Sequence, residues 1–174
     1  RVQLTKHVSE MAPAPVPSGV TVPTGRVIEA ADIYRVYFHG PAYQVLGRAW
    51  RDGNRIIGEL AKSLPPNHVP VEQPTAMAPR LIELCFQTAG LWELSVDSRF
   101  GLPHTVQEVR SFCTSDRVEG ALFAIVTPNA DGATFDAEVV DRSGRRYVHL
   151  SGYGTVAMPG AIDAEPLKAL QVAA

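Results

Sequence analysis

The sequence predicts an α+β domain in which one curved antiparallel sheet wraps around a single long central helix. Two observations lead there. The first is the stretch 79–92, Pro-Arg-Leu-Ile-Glu-Leu-Cys-Phe-Gln-Thr-Ala-Gly-Leu-Trp, whose apolar side chains run almost all the way round a helical circumference. A helix of that kind is buried on every side. The second is the order of segments: two strand-like stretches before this helix and four after it, joined by short links. Short links favour antiparallel neighbours, and a sheet that must cover a helix without a polar face does so most economically by curving around it.

In chain order, Val2 to Val8 alternates loosely and reads as the last strand of a preceding domain. Residues 11–25 hold Pro13, Pro15, Pro17 and Pro23 with Gly19 and Gly25, the composition of an extended linker. Residues 1–24 are therefore expected to be a remnant strand and linker, 25–160 the folded domain and 161–174 a polar-to-alanine tail with helical character. The start at Arg1, without an initiator Met, suggests a domain cut from something longer. Ala30 to Phe38 has Ile33, Val36 and Tyr37 at helical spacing, which predicts one or two turns that His39-Gly40-Pro41 must break. Tyr43–Trp50 and Arg55–Leu60 read as a hairpin across Asp52-Gly53-Asn54. Five prolines make 63–79 a loop, and Pro79 suits the first turn of the helix, which should run to about residue 97 or 98. Four strands follow, at Thr105–Cys113, Gly120–Thr127, Thr134–Asp141 and Tyr147–Val156.

The chain has 174 residues, 45% hydrophobic and 20% charged, enough for one domain with a real core. A formal net charge of -2 with interspersed signs implies no nucleic-acid partner and no anionic membrane surface. No apolar run reaches membrane-spanning length. Two cysteines, Cys85 and Cys113, with Cys85 inside the apolar helix, fit reduced thiols and a cytoplasmic setting.

Glu83 is the one acid in the stretch 79–92, with Gln87 one turn later. A buried carboxylate costs several kcal/mol unless it is paired, hydrogen-bonded or neutralised. Glu83 therefore either has a dedicated partner, for which Arg80 stands three residues away, or does chemistry. Cys85 in a helix interior is not an activated thiol. His, Cys and acidic residues show no metal-ligand spacing, and Gly152-Tyr153-Gly154 lacks the following helix of a dinucleotide fingerprint.

Three segments resemble one family. Pro79-x-x-x-Glu83-x-x-x-Gln87 is similar to the central-helix signature of the C-terminal hotdog in polyketide synthase and polyunsaturated fatty acid synthase dehydratase domains. His39-Gly40-Pro41-Ala42-Tyr43-Gln44 resembles the Gly-Pro-x-Phe/Tyr-Gln segment that opens the same half. Gly152-Tyr153-Gly154-Thr155-Val156 resembles its closing strand. The helix also looks like that of single-hotdog fatty acid dehydratases, in which the acid is glutamate. The resemblance covers about residues 30–160 and implies the hotdog fold. The polyketide family usually has aspartate where Glu83 stands, and the His-x-x-x-Gly-x-x-x-x-Pro motif of its N-terminal hotdog is absent from this chain.

The resemblance implies a hydro-lyase that removes water from a β-hydroxyacyl group carried on the phosphopantetheine of an acyl carrier protein, with no metal or redox cofactor. Glu83 would protonate the departing hydroxyl, kept neutral by apolar walls, and Gln87 would position it. The base should be a His on a second hotdog, in an upstream half or a homodimer partner. His68-Val69-Pro70, fifteen residues before Glu83, resembles the His-Phe-Pro segment of the single-hotdog enzymes and makes His68 a candidate for that role. By position in the family, His39, Pro41, Tyr43, Pro103 and His104 would line the substrate channel. Plainer readings stand beside these: a turn for His39, core for Tyr43, surface for His104. The whole chain could also be a non-catalytic docking hotdog of a megasynthase, or a hotdog thioesterase or enoyl isomerase.

Overall fold

The structure is a computed structural model. It describes residues 20, 23, 25–71, 75, 77–96, 99–113, 119–159 and 165–170, so the strand and linker expected in 1–24 lie almost entirely outside the described residues. Strand β1 (Val27–Glu29) leads into helix α1 (Ala30–Val36), and the short turn Pro41–Tyr43 delivers the chain to the hairpin β2 (Leu46–Asp52) and β3 (Arg55–Leu60). Helix α2 (Pro79–Val96) follows, then β4 (Gly101–Thr105), β5 (Glu108–Ser111), β6 (Leu122–Pro128), β7 (Thr134–Asp141) and β8 (Arg146–Ala157). The strands form one antiparallel sheet in the order β1-β2-β3-β6-β7-β8-β4, with β5 also paired to β8. No helix among the described residues is long and apolar enough to cross a membrane.

The predicted sheet around one helix is the observed arrangement, with three differences. β1 was not expected; its three residues pair with β2 but are too few to show a period. The single strand expected over Thr105–Cys113 is two strands beginning earlier, at Gly101. The ladder shifts register between Pro103 and Thr105, opposite Thr155 and Gly154 of β8, and where β4 gives way to β5 Gly152 of β8 takes a positive φ of 60° and donates its N–H to Asp136. The C-terminal tail contains a 3-10 segment, Glu165–Leu170, whose Leu167 and Leu170 are buried in the core.

Central strands read as nearly continuous apolar runs because both faces of the sheet are covered. Ile56, Ala124, Val126 and Val139 face the helix, where Leu81, Leu84, Leu91 and Leu94 are buried. Each such leucine contributes roughly 1.5–3 kcal/mol of burial. Trp50, Ile57, Phe123, Ile125 and Val140 form a second cluster, with Val20, Val27 and Ala121 packed against it. Helix and sheet approach closely at Gly58, where a methyl group would lie 2.3 Å from Thr88 Oγ1.

The most deeply sealed acid is Glu93, at 0% exposure in α2 just beyond the stretch that the sequence singles out. Arg99 pairs with its Oε1, and Thr155 on β8 donates to the same oxygen at 2.5 Å. Gly101 makes room for it, since a methyl group there would lie 1.9 Å from Oε2. This cluster ties the end of α2 to the β4–β8 edge.

Removing one partner of a sealed ion pair leaves an uncompensated charge. Arg99→Leu should therefore lower the unfolding free energy by about 3–5 kcal/mol, read as a drop in the urea midpoint; a loss under about 1 kcal/mol would show the pair to be a surface interaction. Alkaline pH gives a second check. Burial holds the hydroxyls of Tyr37 and Tyr153 well above the usual tyrosine range. In the unfolded chain they ionise near pH ~10. Their contribution is thus complete below that pH and is lost as pH rises above it. Unfolding free energy measured upward from pH ~10 should fall, and Tyr37→Phe should flatten the slope.

Candidate functional site

α2 is not covered equally all round. Pro79, Ile82, Glu83 and Phe86 are only half-buried, while nearly every other residue of the helix is buried. Their spacing of three and four places them on one stripe, and Glu83 lies in its middle with 22% of its side chain exposed. Phe86 stacks on Tyr153 of β8 with ring centroids 4.5 Å apart, which makes the stripe largely apolar.

Glu83 has dedicated partners. Gln87 Nε2 donates to its Oε1 at 3.0 Å, and His39 Nε2 lies 3.0 Å from the same oxygen. Arg80, the alternative partner, is used elsewhere: it donates to the carbonyls of Ala42 at 3.0 Å and of Pro65. Gln87 Nε2 and His39 Nε2 thus both lie 3.0 Å from Oε1, the first as a hydrogen-bond donor and the second as an ion-pair contact, and Oε2 is the oxygen left to exchange a proton with a bound molecule.

Gln87 is held in one orientation. Its Oε1 accepts from the Tyr34 hydroxyl at 2.8 Å, and its Nε2 also donates to the Tyr43 carbonyl at 2.8 Å. Tyr34 in turn accepts from the backbone N–H of Leu46 at 2.7 Å, and Tyr37 donates to the Gln87 carbonyl at 2.7 Å. Burial raises the Tyr34 hydroxyl above the usual tyrosine range, although the Leu46 N–H pulls the other way; the Glu83 charge adds to the rise. Tyr34 is therefore a hydroxyl donor at neutral pH, which fixes which end of the Gln87 amide faces Glu83.

The expected site residues divide. Glu83, Gln87 and His39 are brought together, 44 residues of chain separating His39 from its partner. His39 was expected at a channel mouth or in a turn; its Nε2 lies 3.0 Å from the acid itself. Tyr43 contributes its backbone carbonyl to Gln87, while its ring is half-buried. Pro41 opens the 3-10 turn and is exposed. Pro103 and His104 are exposed on the edge strand β4, outside the hydrogen-bond network around Glu83. His68 has its Nδ1 2.8 Å from Asn67 Oδ1 in the loop before α2, while Glu83 meets Gln87 and His39. Cys85 is buried, and burial raises its thiol far above the reactive range, as its helical position implied. The helical spacing of Tyr34 and Tyr37 gave no sign of hydroxyls directed at Gln87.

A dehydratase domain structure from work on substrate selection in the borrelidin and fluvirucin polyketide synthases superposes with a TM-score of 0.66 at 20% identity, covering 87% of this chain and 53% of that one. The dehydratase domain from the CurF module of the curacin polyketide synthase gives 0.61 at 18% identity, covering 81% and 54%. A trans-AT polyketide synthase dehydratase domain from Brevibacillus brevis gives 0.60 at 16%, covering 76% and 49%. The chain thus spans about half the length of these structures, and the likeness shows the shared hotdog fold. No curated protein matches the sequence. The family model described as "Polyketide synthase dehydratase N-terminal domain" matches residues 13–165. With the match extending over most of its length, the chain belongs to the polyketide synthase dehydratase family.

Proposed function

We propose that this chain is one hotdog half of a dehydratase domain and contributes the acid that removes water from a β-hydroxyacyl thioester. The observation that carries the reading is Glu83, on the open stripe of an otherwise covered helix, with Oε1 held between Gln87 Nε2 and His39 Nε2. The matching family description names the N-terminal domain. The Pro79-x-x-x-Glu83-x-x-x-Gln87 helix and the Gly40-Pro41-Ala42-Tyr43-Gln44 turn instead favour the C-terminal half.

In the reaction, a base takes the α-proton, the Cα electrons form the new double bond, and the β C–O bond breaks. Glu83 Oε2 gives a proton to the departing oxygen, which leaves as water. The carboxylate left behind is then stabilised by the His39 and Gln87 N–H groups on Oε1, without rearrangement. Tyr34 and the Tyr43 carbonyl keep Gln87 donating throughout. The α-proton base comes from a facing hotdog, in an upstream half or a second copy, with His68 of a second copy as a candidate. The substrate arrives on an acyl carrier protein. Ile82 and Phe86 offer an apolar wall to its acyl chain, with Pro103 and His104 of β4 as further candidates for lining its channel. Elimination changes no oxidation state, so no redox cofactor takes part. Two free cysteines suit a cytoplasmic setting.

The test offers the chain a β-hydroxybutyryl and a saturated butyryl pantetheine thioester, alone and with a separately expressed His-bearing hotdog half. Enoyl thioester should form from the first and no thiol be released from the second. Glu83→Gln should cut turnover by at least about 100-fold and leave the folded state intact. Thiol release from the saturated thioester would instead identify a thioesterase, and inertness toward both a structural half. Gln87→Leu should lower kcat by about 10- to 100-fold with little change in KM, since it removes the donor that orients the acid and not a substrate contact; a purely structural amide would give a change in thermal midpoint alone.

A further inference from the structure

We propose that His39 is a positioning residue matched to the length of Glu83: its Nε2–H fixes the carboxyl so that Oε2 faces the reacting molecule. This rests on the reading of Glu83 as the proton donor. A glutamate has one more rotatable bond than an aspartate, so its carboxyl sweeps a wider arc unless it is held. Gln87 alone is a weak restraint, being on the same helix and one turn away. His39 comes from the connection between α1 and β2, and clamps the same oxygen at 3.0 Å from a separate element.

The ring is itself fixed. His39 stacks on Phe38 with centroids 5.1 Å apart and planes 8° from parallel, and leans on Tyr37 at 5.5 Å. Its backbone carbonyl accepts from Gln44 Nε2 at 3.1 Å. Tyr37 is anchored in turn on the Gln87 carbonyl, so acid, amide and imidazole share one framework. The other ring nitrogen, Nδ1, is buried with no hydrogen-bond partner. Nε2 is therefore the ring nitrogen that meets a partner, with the ring hydrogen assigned to it, toward Glu83. His39 acts through Glu83 and does not itself take the α-proton.

The test compares the full chain with His39→Phe, His39→Gln, Glu83→Asp and the Glu83→Asp/His39→Phe double variant, under the conditions in which the unchanged chain turns over β-hydroxybutyryl pantetheine. His39→Phe should lower kcat by about 100-fold with KM within about twofold. His39→Gln, whose amide can donate from nearly the same place, should recover most of the loss. In the Glu83→Asp background the shortened acid no longer reaches the ring, so His39→Phe should change kcat by less than about twofold. Equal losses in both backgrounds, or a loss confined to KM, would overturn the proposal. A readout independent of turnover is the ¹⁵N spectrum of the histidine rings, with the His39 signal identified by its absence in His39→Gln. It should report an Nε2–H tautomer and shift in Glu83→Asp, and an unmoved signal would sink the link. A chain inert toward the thioester would overturn the dehydratase reading, and the ring spectrum would then judge the His39–Glu83 contact alone.

Discussion

The side-chain amide of Gln87 is the constraint on which the site depends. It meets three partners, the Tyr34 hydroxyl of α1, the Tyr43 carbonyl of the following turn and Glu83 one helical turn back, and the backbone carbonyl of the same residue accepts from Tyr37 at the end of α1. A buried amide with its donors and acceptor satisfied is rigid, and one left half-satisfied is costly. α1 therefore cannot slide over α2 without breaking several hydrogen bonds at once. The same bonds that stabilise this packing set the direction of the Glu83 carboxyl.

Much of the architecture was legible because it rests on local chemistry. The apolar circumference of α2 and Pro79 at its start identify the central helix; the Asp52-Gly53 turn identifies the β2–β3 hairpin; and β7 has the expected bounds, Thr134–Asp141. Readings failed where the deciding contact is distant in sequence. The break between β4 and β5 is governed by Gly152 and Asp136 on other strands, so nothing within Thr105–Cys113 announces it. β1 exists because β2 offers an edge for it to pair with.

The site was legible to the same degree. Glu83 and Gln87 share a helix face and so appear together in the sequence. The contact with His39 depends on a turn that brings back residues 44 positions upstream. Glu93 was passed over because its partners, Arg99 and Thr155, lie beyond the helix and on the last strand. The expectation that Glu83 is enclosed on all sides also yields to the structure: the enclosed acid is Glu93, and Glu83 borders the open stripe.

The contrast between these two acids divides α2 into two regimes. Toward its C-terminal end, the sealed Glu93 cluster fixes the helix along its own axis, so most changes there are paid in stability. Toward its N-terminal end, Ile82 and Phe86 are only half-buried, each with one side against the core and Phe86 stacked on Tyr153. The division separates the flank of Glu83 from the part of the helix that holds the fold: side-chain bulk beside this carboxyl can change on its outer side, while the far end of the same rod stays locked to the sheet edge.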